Sequence, residues 1–583
     1  MSNLSLKPIL LVAVVVILSS CSGLNKMKKN ADKIQFRVTP DVLESHAGKV
    51  DFSVDTRYPA KFFNKKATVT ATPVLKYADG STSFNPATVQ GESVKANNKV
   101  VNYKGGGSIS YNEGFAYKPE MAKSELYMNM TASKGKKKVD FAPRKIATGV
   151  LATGEMVANY PKPILGVSRE ENKTGKYDPN IDPFQRIVPD EMMADIHYQI
   201  NKAEVRKEEL AAKDVRDLED YTKKANADEK VDLKRVEVAA YASPDGTIDL
   251  NTELASQRKE SSTAFLAQKL KEAGVDIELK TKYTPEDWDG FKALMEKSNI
   301  PDKDLILRVL SMYNDPEVRE REIKNLSEAF TGVADEILPQ LRRAKMTTSV
   351  DLIGKSDDEL KELAKSNPAS LNPAELLYAA TLFESLDEQL AIYNSFIKVY
   401  PNDWRGSNNA GYVLVKQGKY AEAKPLFEKA ETQMNNEPIV KNNLGAVTLK
   451  EGDVQKAETL FGAAAGAGNE VNYNLGIVSM KKGEYDKAAK YFVKDEDVNS
   501  ALAKMMTGNN NGALQDLEAF DKPDCFMKEY LKAVIGARTA KENLLFESLQ
   551  KACTINAEMK AKARNDMEFA RYFENPKFVE ITK

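Results

Sequence analysis

The feature that most constrains this chain is an internal repeat in its last third. Gly411, Gly445 and Gly476 each end an asparagine-rich phrase: Asn408-Asn409-Ala410, Asn442-Asn443-Leu444 and Asn474-Leu475. Gly418, Gly452 and Gly483 keep the same offsets, as do Ala423, Ala457 and Ala488, and Phe427, Phe461 and Phe492. All four columns step by 34 and then 31 residues. Four columns in one register do not arise by chance. A helical unit of this length cannot bury its apolar face alone, so such units stack into a quasi-one-dimensional array. A preceding unit at 374–400 extends it, and so does a shorter one at 498–520, whose Gly508 and Ala513 follow their counterparts by 25 residues. Residues 527–554 add a further helical pair, and 557–578 are predicted to form the polar cap that an array needs.

The register resembles the tetratricopeptide repeat. That resemblance implies paired helices over 357–583, with Gly and Ala where they touch, and a concave face that takes a protein segment as partner. Asn408, Asn409, Asn442, Asn443 and Asn474 fall on the first helix of each unit. There an amide can either hydrogen-bond the backbone of a bound partner or brace neighbouring helices. Lys441 is the one candidate for a carboxylate clamp. Cys525 and Cys553 lie in the last helices. They either pair across about 27 residues and stiffen the end of the array, or stay two buried thiols.

At 583 residues the chain is too long for one core, and three or four domains are expected. Its 84 basic and 85 acidic side chains exert no global pull toward nucleic acid. Two histidines, His46 and His197, and three cysteines argue against a metal centre or a histidine catalyst. No catalytic signature and no cofactor motif emerges, so the expectation is a multidomain, non-enzymatic protein.

Residues 1–20 read as a secretory signal, with Lys7 before an apolar run from Ile9 to Leu18 that is too short to span a bilayer. The following Leu18-Ser19-Ser20-Cys21 resembles the lipobox of bacterial lipoproteins, which implies that Cys21 is acylated and becomes the N-terminus. Acyl chains contribute about 0.8 kcal/mol per buried CH₂, so several on one cysteine anchor firmly. Residues 21–33, with Lys26, Lys28 and Lys29, suit a tether to the outer membrane. No acidic stretch follows the cysteine, which favours a periplasm-facing orientation.

From 34 to 152 short runs of period two alternate with turns, among them 34–38, 50–54, 67–72 and 108–111. They predict an N-terminal antiparallel β-sandwich of immunoglobulin-like type, serving as a docking module or a spacer. Lys134 and Lys136-Lys137-Lys138 mark a solvated hairpin tip. Residues 153–190, rich in proline, read as an extended connector.

Residues 191–355 form the expected central α/β domain. Val236-Glu237-Val238-Ala239-Ala240-Tyr241 alternates as a strand and runs into Ser243-Pro244-Asp245-Gly246, a turn. Leu254, Phe265, Leu266 and Leu270 then mark an amphipathic helix from Asn251. This βα unit aims several polar groups at one spot, which suits a small anionic ligand. The order of Tyr241, Gly246, Asn251, Leu254 and Arg258 resembles the OmpA-like domain, which binds peptidoglycan in bacterial envelopes. The family's Arg matches Arg258, and its Asp matches Ser243, which carries no charge; Asp245 is the candidate replacement. Lys259 stands where the family has a small residue. Arg342 and Arg343 match the paired-Arg start of the family's last strand and are expected to brace the pocket of Ser243, Asp245, Asn251 and Arg258. A helical insertion occupies 285–339, with Trp288, Phe291 and Leu294 on its apolar face, and a similar insertion recurs in OmpA-like proteins of Bacteroidota.

Two functions are expected on these grounds. In the first, an outer-membrane lipoprotein links the membrane to peptidoglycan and recruits a protein partner through its repeats. In the second, the chain is a scaffold subunit of a secretion, outer-membrane assembly or adhesion complex, without peptidoglycan binding.

Overall fold

The structure, a computed structural model, describes residues 23–166 and 184–583. The apolar run of 1–20, Cys21 and the 167–183 part of the connector lie outside the described residues. The chain divides into two compact units, Met1–Gly166 with Ser385–Lys583, and Val167–Glu384. This corrects the expected series of separate domains. The sheet-rich N-terminal region and the repeats share one unit, while Asp357–Ser366 and Pro373–Thr381, expected to open the array, fall in the other. No helix among the described residues is long and apolar enough to cross a membrane.

In the first unit two sheets enclose one core. The smaller has the order Gln35–Thr39, Lys49–Tyr58, Gly107–Ala116, and the larger is built around Thr68–Tyr77 and Ser124–Lys134. Lys49–Tyr58 alternates strictly, turning Val50, Phe52, Val54 and Tyr58 inward. They join Val69, Leu126, Met128 and Met130 of the larger sheet in one apolar cluster, as period-two patterning demands. The expected tether over 21–33 needs correction from residue 23 onward. Residues 23–29 are helical, and Leu24 and Met27 are buried in this core. Their spacing of three places both on one helical face, a signal hidden by the lysines around them.

The repeats are helix pairs: Trp404–Lys416 with Tyr420–Gln433, Pro438–Glu451 with Val454–Ala463, Asn469–Lys481 with Tyr485–Tyr491, and Val498–Met506 with Asn510–Ala519. Gly418, Gly452, Gly483 and Gly508 close the first helices at positive φ, where a side chain would be strained. The other glycine column has a different cause. A Cβ on Gly411, Gly445 or Gly476 would lie 2.6, 2.6 or 2.5 Å from the ring of Phe427, Phe461 or Phe492. Gly445→Ala is therefore expected to destabilise the unit by about 1–2 kcal/mol, overpacking outweighing the helix propensity gained; a urea titration reads it. The C-terminal segment closes the array by burial rather than polarity alone, with Phe569 and Phe578 sealed against the repeats.

The second unit is a four-stranded sheet in the order Ile187–His197, Arg343–Ile353, Val231–Tyr241, Leu279–Thr284, antiparallel except for the last pair. Its first strand starts inside the expected connector, and Pro189 is tolerated because that strand lies at the sheet edge. Helices Lys213–Ala227 and Ile248–Glu272 pack Val215, Leu218, Leu266 and Leu270 on Ile196, Val236, Val238 and Met346. The insertion forms its own core around Phe291, Ile306 and Ile337, against which Trp288 and Leu294 pack.

Candidate functional site

Residues 156–166, expected to be a free connector, lie along the first helices of four successive repeat units. Asn474 accepts from the Lys162 N–H at 2.7 Å and donates to the Lys162 carbonyl at 2.9 Å. Asn443 does the same to Ile164, at 2.7 Å in both directions. Asn499 does so to Ala158, at 2.9 Å both ways, and Asn409 accepts from the Gly166 N–H at 2.7 Å. Asn442 donates to the Lys162 carbonyl at 3.0 Å and Asn408 to that of Ile164 at 3.3 Å. The amides also form a ladder: Asn474 donates to Asn442 at 2.9 Å and Asn443 to Asn408 at 2.8 Å. All six asparagines are fully buried. Of the two roles open to these amides, gripping a backbone and bracing adjacent helices, they perform both, and the backbone belongs to the chain itself.

The segment's sequence fits this reading frame. The asparagines read residues 158, 162, 164 and 166, so Pro161 and Pro163 fall where no N–H is needed, and both are buried. Proline also fixes φ near the extended value, which lowers the entropy lost on docking. Gly166 passes close to the ladder; its Cβ would stand 3.1 Å from Asn408, Asn409 and Trp404. Lys162 places its ammonium 3.5 Å from the centroid of the Tyr473 ring and 2.9 Å from Asp495. Lys450 donates to the Asn159 carbonyl at 2.8 Å, and burial draws its pKa down. Upstream, Glu155 accepts from Ser45 at 2.7 Å and from the Gly48 N–H at 2.8 Å, while Thr153 donates to Glu568, which Arg538 also holds. The sandwich, the segment and the repeats are thereby clasped into one unit.

The other residues singled out by sequence cluster in the second unit at the carboxyl end of Val231–Tyr241. Arg258 is 1% exposed, and its guanidinium donates to the carbonyls of Lys202 at 3.0 Å, Tyr241 at 2.9 Å and Gln199 at 3.4 Å. Burial draws its pKa down to about 10, so it stays charged at neutral pH. Arg342 instead meets Asp245 at 3.0 Å and Ser243 at 3.3 Å, and Ser243 donates to Asp245. Arg343 pairs with Asp287 and Asp195 at 3.3 and 3.5 Å. Asn251 does not start the helix, which Thr247 caps; its amide donates to the Gly246 carbonyl at 3.1 Å. Lys441 is ion-paired to Glu431 at 2.6 Å. Cys525 and Cys553 are separate thiols, and burial raises the pKa of Cys553. Among the described residues no group of three His, Cys, Asp or Glu side chains could hold a metal ion.

The family model of the tetratricopeptide repeat matches residues 405–432. The array contains a tetratricopeptide repeat. Among solved structures, the chain is similar to a tetratricopeptide repeat protein from Parabacteroides merdae ATCC 43184, at 17% identity over 42% of this chain and 98% of that one, with a TM-score of 0.28. It is similar also to YrrB, described as a TPR protein with an unusual peptide-binding site, at 20% identity over 35% and 94% of the two chains, with a TM-score of 0.21. A third is PilW, a type IV pilus biogenesis factor, at 16% identity over 39% and 89%, with a TM-score of 0.22. No curated protein matches the chain.

Two residues of the tetratricopeptide groove escaped the sequence reading. Asn499 lies 25 residues beyond Asn474, the same step that Gly508 and Ala513 take, so the column was there to be extended. Tyr473 replaces the first asparagine of its unit, at the step of 31 from Asn442. Its hydroxyl donates to Asp497 at 2.6 Å and accepts from Asn499 at 3.1 Å; burial, with the Asp497 charge, pushes its pKa well up. A raised folded pKa means that this contribution to stability is complete below the unfolded value of about 10 and lost as pH climbs toward the folded one. Thermal unfolding of the wild type is expected to fall above about pH 10, and Tyr473→Phe to flatten that fall.

Proposed function

We propose that this chain is a non-catalytic scaffold of the bacterial envelope, acylated at Cys21, held in the outer membrane facing the periplasm, and recruiting a protein partner through its repeat groove. The observation that carries this reading is the column Asn409, Asn443, Asn474 and Asn499, paired with the backbone of residues 166, 164, 162 and 158 in turn. Amides in that spacing hold any extended chain by its peptide groups, as strand addition does at a sheet edge. The lipobox resemblance at Leu18–Cys21 and the OmpA-like order of Tyr241 to Arg258 support the envelope setting. Cross-linking in intact cells and affinity purification of the full chain should recover one stoichiometric partner from the outer-membrane fraction. An Asn443→Ala/Asn474→Ala chain should lose it. Equal recovery with the double variant would reject the groove as the docking site, and an unacylated chain would reject the anchor.

The second reading, attachment to peptidoglycan through the OmpA-like domain, is favoured by one observation. Asp245 and Arg342 stand 3.0 Å apart at the end of the central strand, and by exchanging partners they could receive the ammonium and carboxylate of a diamino acid. Arg258, to which the resemblance points, is turned onto backbone carbonyls. The clamp in this reading is therefore Asp245 with Arg342, and Asn251 beside it. Sedimentation with purified peptidoglycan should retain the wild type and release Asp245→Ala/Arg342→Ala; unchanged retention of the variant removes the reading.

A further inference from the structure

We propose that the tetratricopeptide groove contains a lysine-reading subsite, Tyr473 with Asp495, and that its partner presents an extended Pro-Lys-Pro-aliphatic segment which competes with residues 156–166 of this chain. This rests on the reading of the groove as a partner-binding site and specifies what it selects. The asparagine column hydrogen-bonds only peptide groups of the segment and crowds a side chain at residue 166 alone, so selectivity at the other positions must come from elsewhere. Lys162 is where it arises. Its ammonium lies over the Tyr473 ring, 3.5 Å from the centroid, and pairs with Asp495 at 2.9 Å. The ring is set in place before any lysine arrives, because its hydroxyl is fixed by Asp497 and Asn499. A cation is thus met by an aromatic face held in place and by the Asp495 carboxylate beside it.

The neighbours narrow the ligand further. Pro161 and Pro163 are buried at positions whose N–H groups would find no amide of the ladder, so residues with a free N–H there carry a desolvation cost. Ile164 packs against the apolar core of the repeats. Tyr160, by contrast, is 68% exposed, with the Lys450 ammonium 4.9 Å from its ring centroid. The chain's own copy of this pattern is covalently attached to the sandwich, so it occupies the groove at the high effective concentration of a short linker. A partner gains access only by displacing it.

The test uses the full chain and a fluorescein-labelled synthetic peptide of residues 156–166, read by fluorescence polarisation. Lys162→Glu sets a carboxylate against Asp495 and weakens the internal segment. The peptide is expected to bind the Lys162→Glu chain at least about tenfold more tightly than the wild-type chain. A peptide with glutamate at the lysine position should lose at least about tenfold on the same chain. That loss should be recovered on a chain carrying Lys162→Ala together with Asp495→Lys, whose internal segment offers the new lysine no carboxylate. Lys162→Ala serves as a second opened chain, and thermal unfolding identifies a variant that has failed to fold. Equal binding of the lysine and glutamate peptides to either folded, opened chain would overturn the subsite. Equal binding of the lysine peptide to opened and wild-type chains would overturn the competition. A cellular search that finds no partner would sink the scaffold reading and leave the peptide result standing, so the two failures are distinguishable.

Discussion

Replacing Asn443 and Asn474 together by alanine is expected to free residues 158–166 from the repeats and to destabilise the unit that holds them by roughly 3–5 kcal/mol. Each amide serves both the N–H and the carbonyl of one half-buried residue, Ile164 or Lys162. Each is also tied to the neighbouring rung through Asn408 or Asn442. Alanine leaves the Lys162 and Ile164 N–H groups without partners, at about 1–3 kcal/mol per group, and leaves each carbonyl only the longer bond from Asn442 or Asn408. The loss has a ceiling, because the segment can leave the groove and be rehydrated once holding it costs more than releasing it. The two substitutions act on adjacent rungs of one ladder and should not be additive. Urea unfolding gives the stability loss, and thermolysin nicking before Ile164 or Leu165 gives the release. A single substitution at Asn408, which makes one longer contact of 3.3 Å to the segment, should cost less than half as much.

Arg258→Ala is expected to lower the stability of the second unit by about 3–5 kcal/mol. Arg258 is the largest fully buried side chain among the described residues, and its guanidinium gathers three carbonyls, two from the turn at Gln199–Lys202 and one from the end of the central strand. Removal leaves a cavity and takes a donor from all three carbonyls, of which that of Gln199 keeps the Lys202 N–H at 3.1 Å. Arg258→Lys should rescue little, since an ammonium has no planar fork to reach all three carbonyls. Arg342→Ala, which loses one ion pair to Asp245 and a 3.3 Å contact to Ser243, should cost less, about 1–2 kcal/mol. Urea titrations of the three variants separate an arginine that builds the fold from one that is free to change partners. Comparable losses at Arg258 and Arg342 would contradict that division.

What the sequence discloses and what it conceals differ by the range of the interaction. The columns of Gly, Ala, Phe and Asn were legible because each reports packing within one helix pair or between adjacent pairs. The same step of 25 that locates Gly508 locates Asn499. The alternation of 49–58 and the strand, turn and helix of 231–272 were legible for the same local reason. What occupies the groove was not, because Lys162 and Asn474 lie 312 residues apart and no periodicity couples them. Pro161 and Pro163 indicate an extended segment, and extended segments are the same in sequence whether they cross solvent or fill a channel. Arg258 illustrates a second limit. Its position on the helix could be matched, but the direction of its donors depends on where the chain around Gln199 and Lys202 folds back.

Native-state hydrogen exchange, resolved by residue across 156–166, tests the central claim most directly. If the asparagine ladder holds the segment, the amides of Ala158, Lys162, Ile164 and Gly166 exchange far more slowly than a free peptide of that sequence, and Asn443→Ala/Asn474→Ala removes the protection at Lys162 and Ile164. Exchange at free-peptide rates in the wild-type chain would show that the groove is not filled in this way.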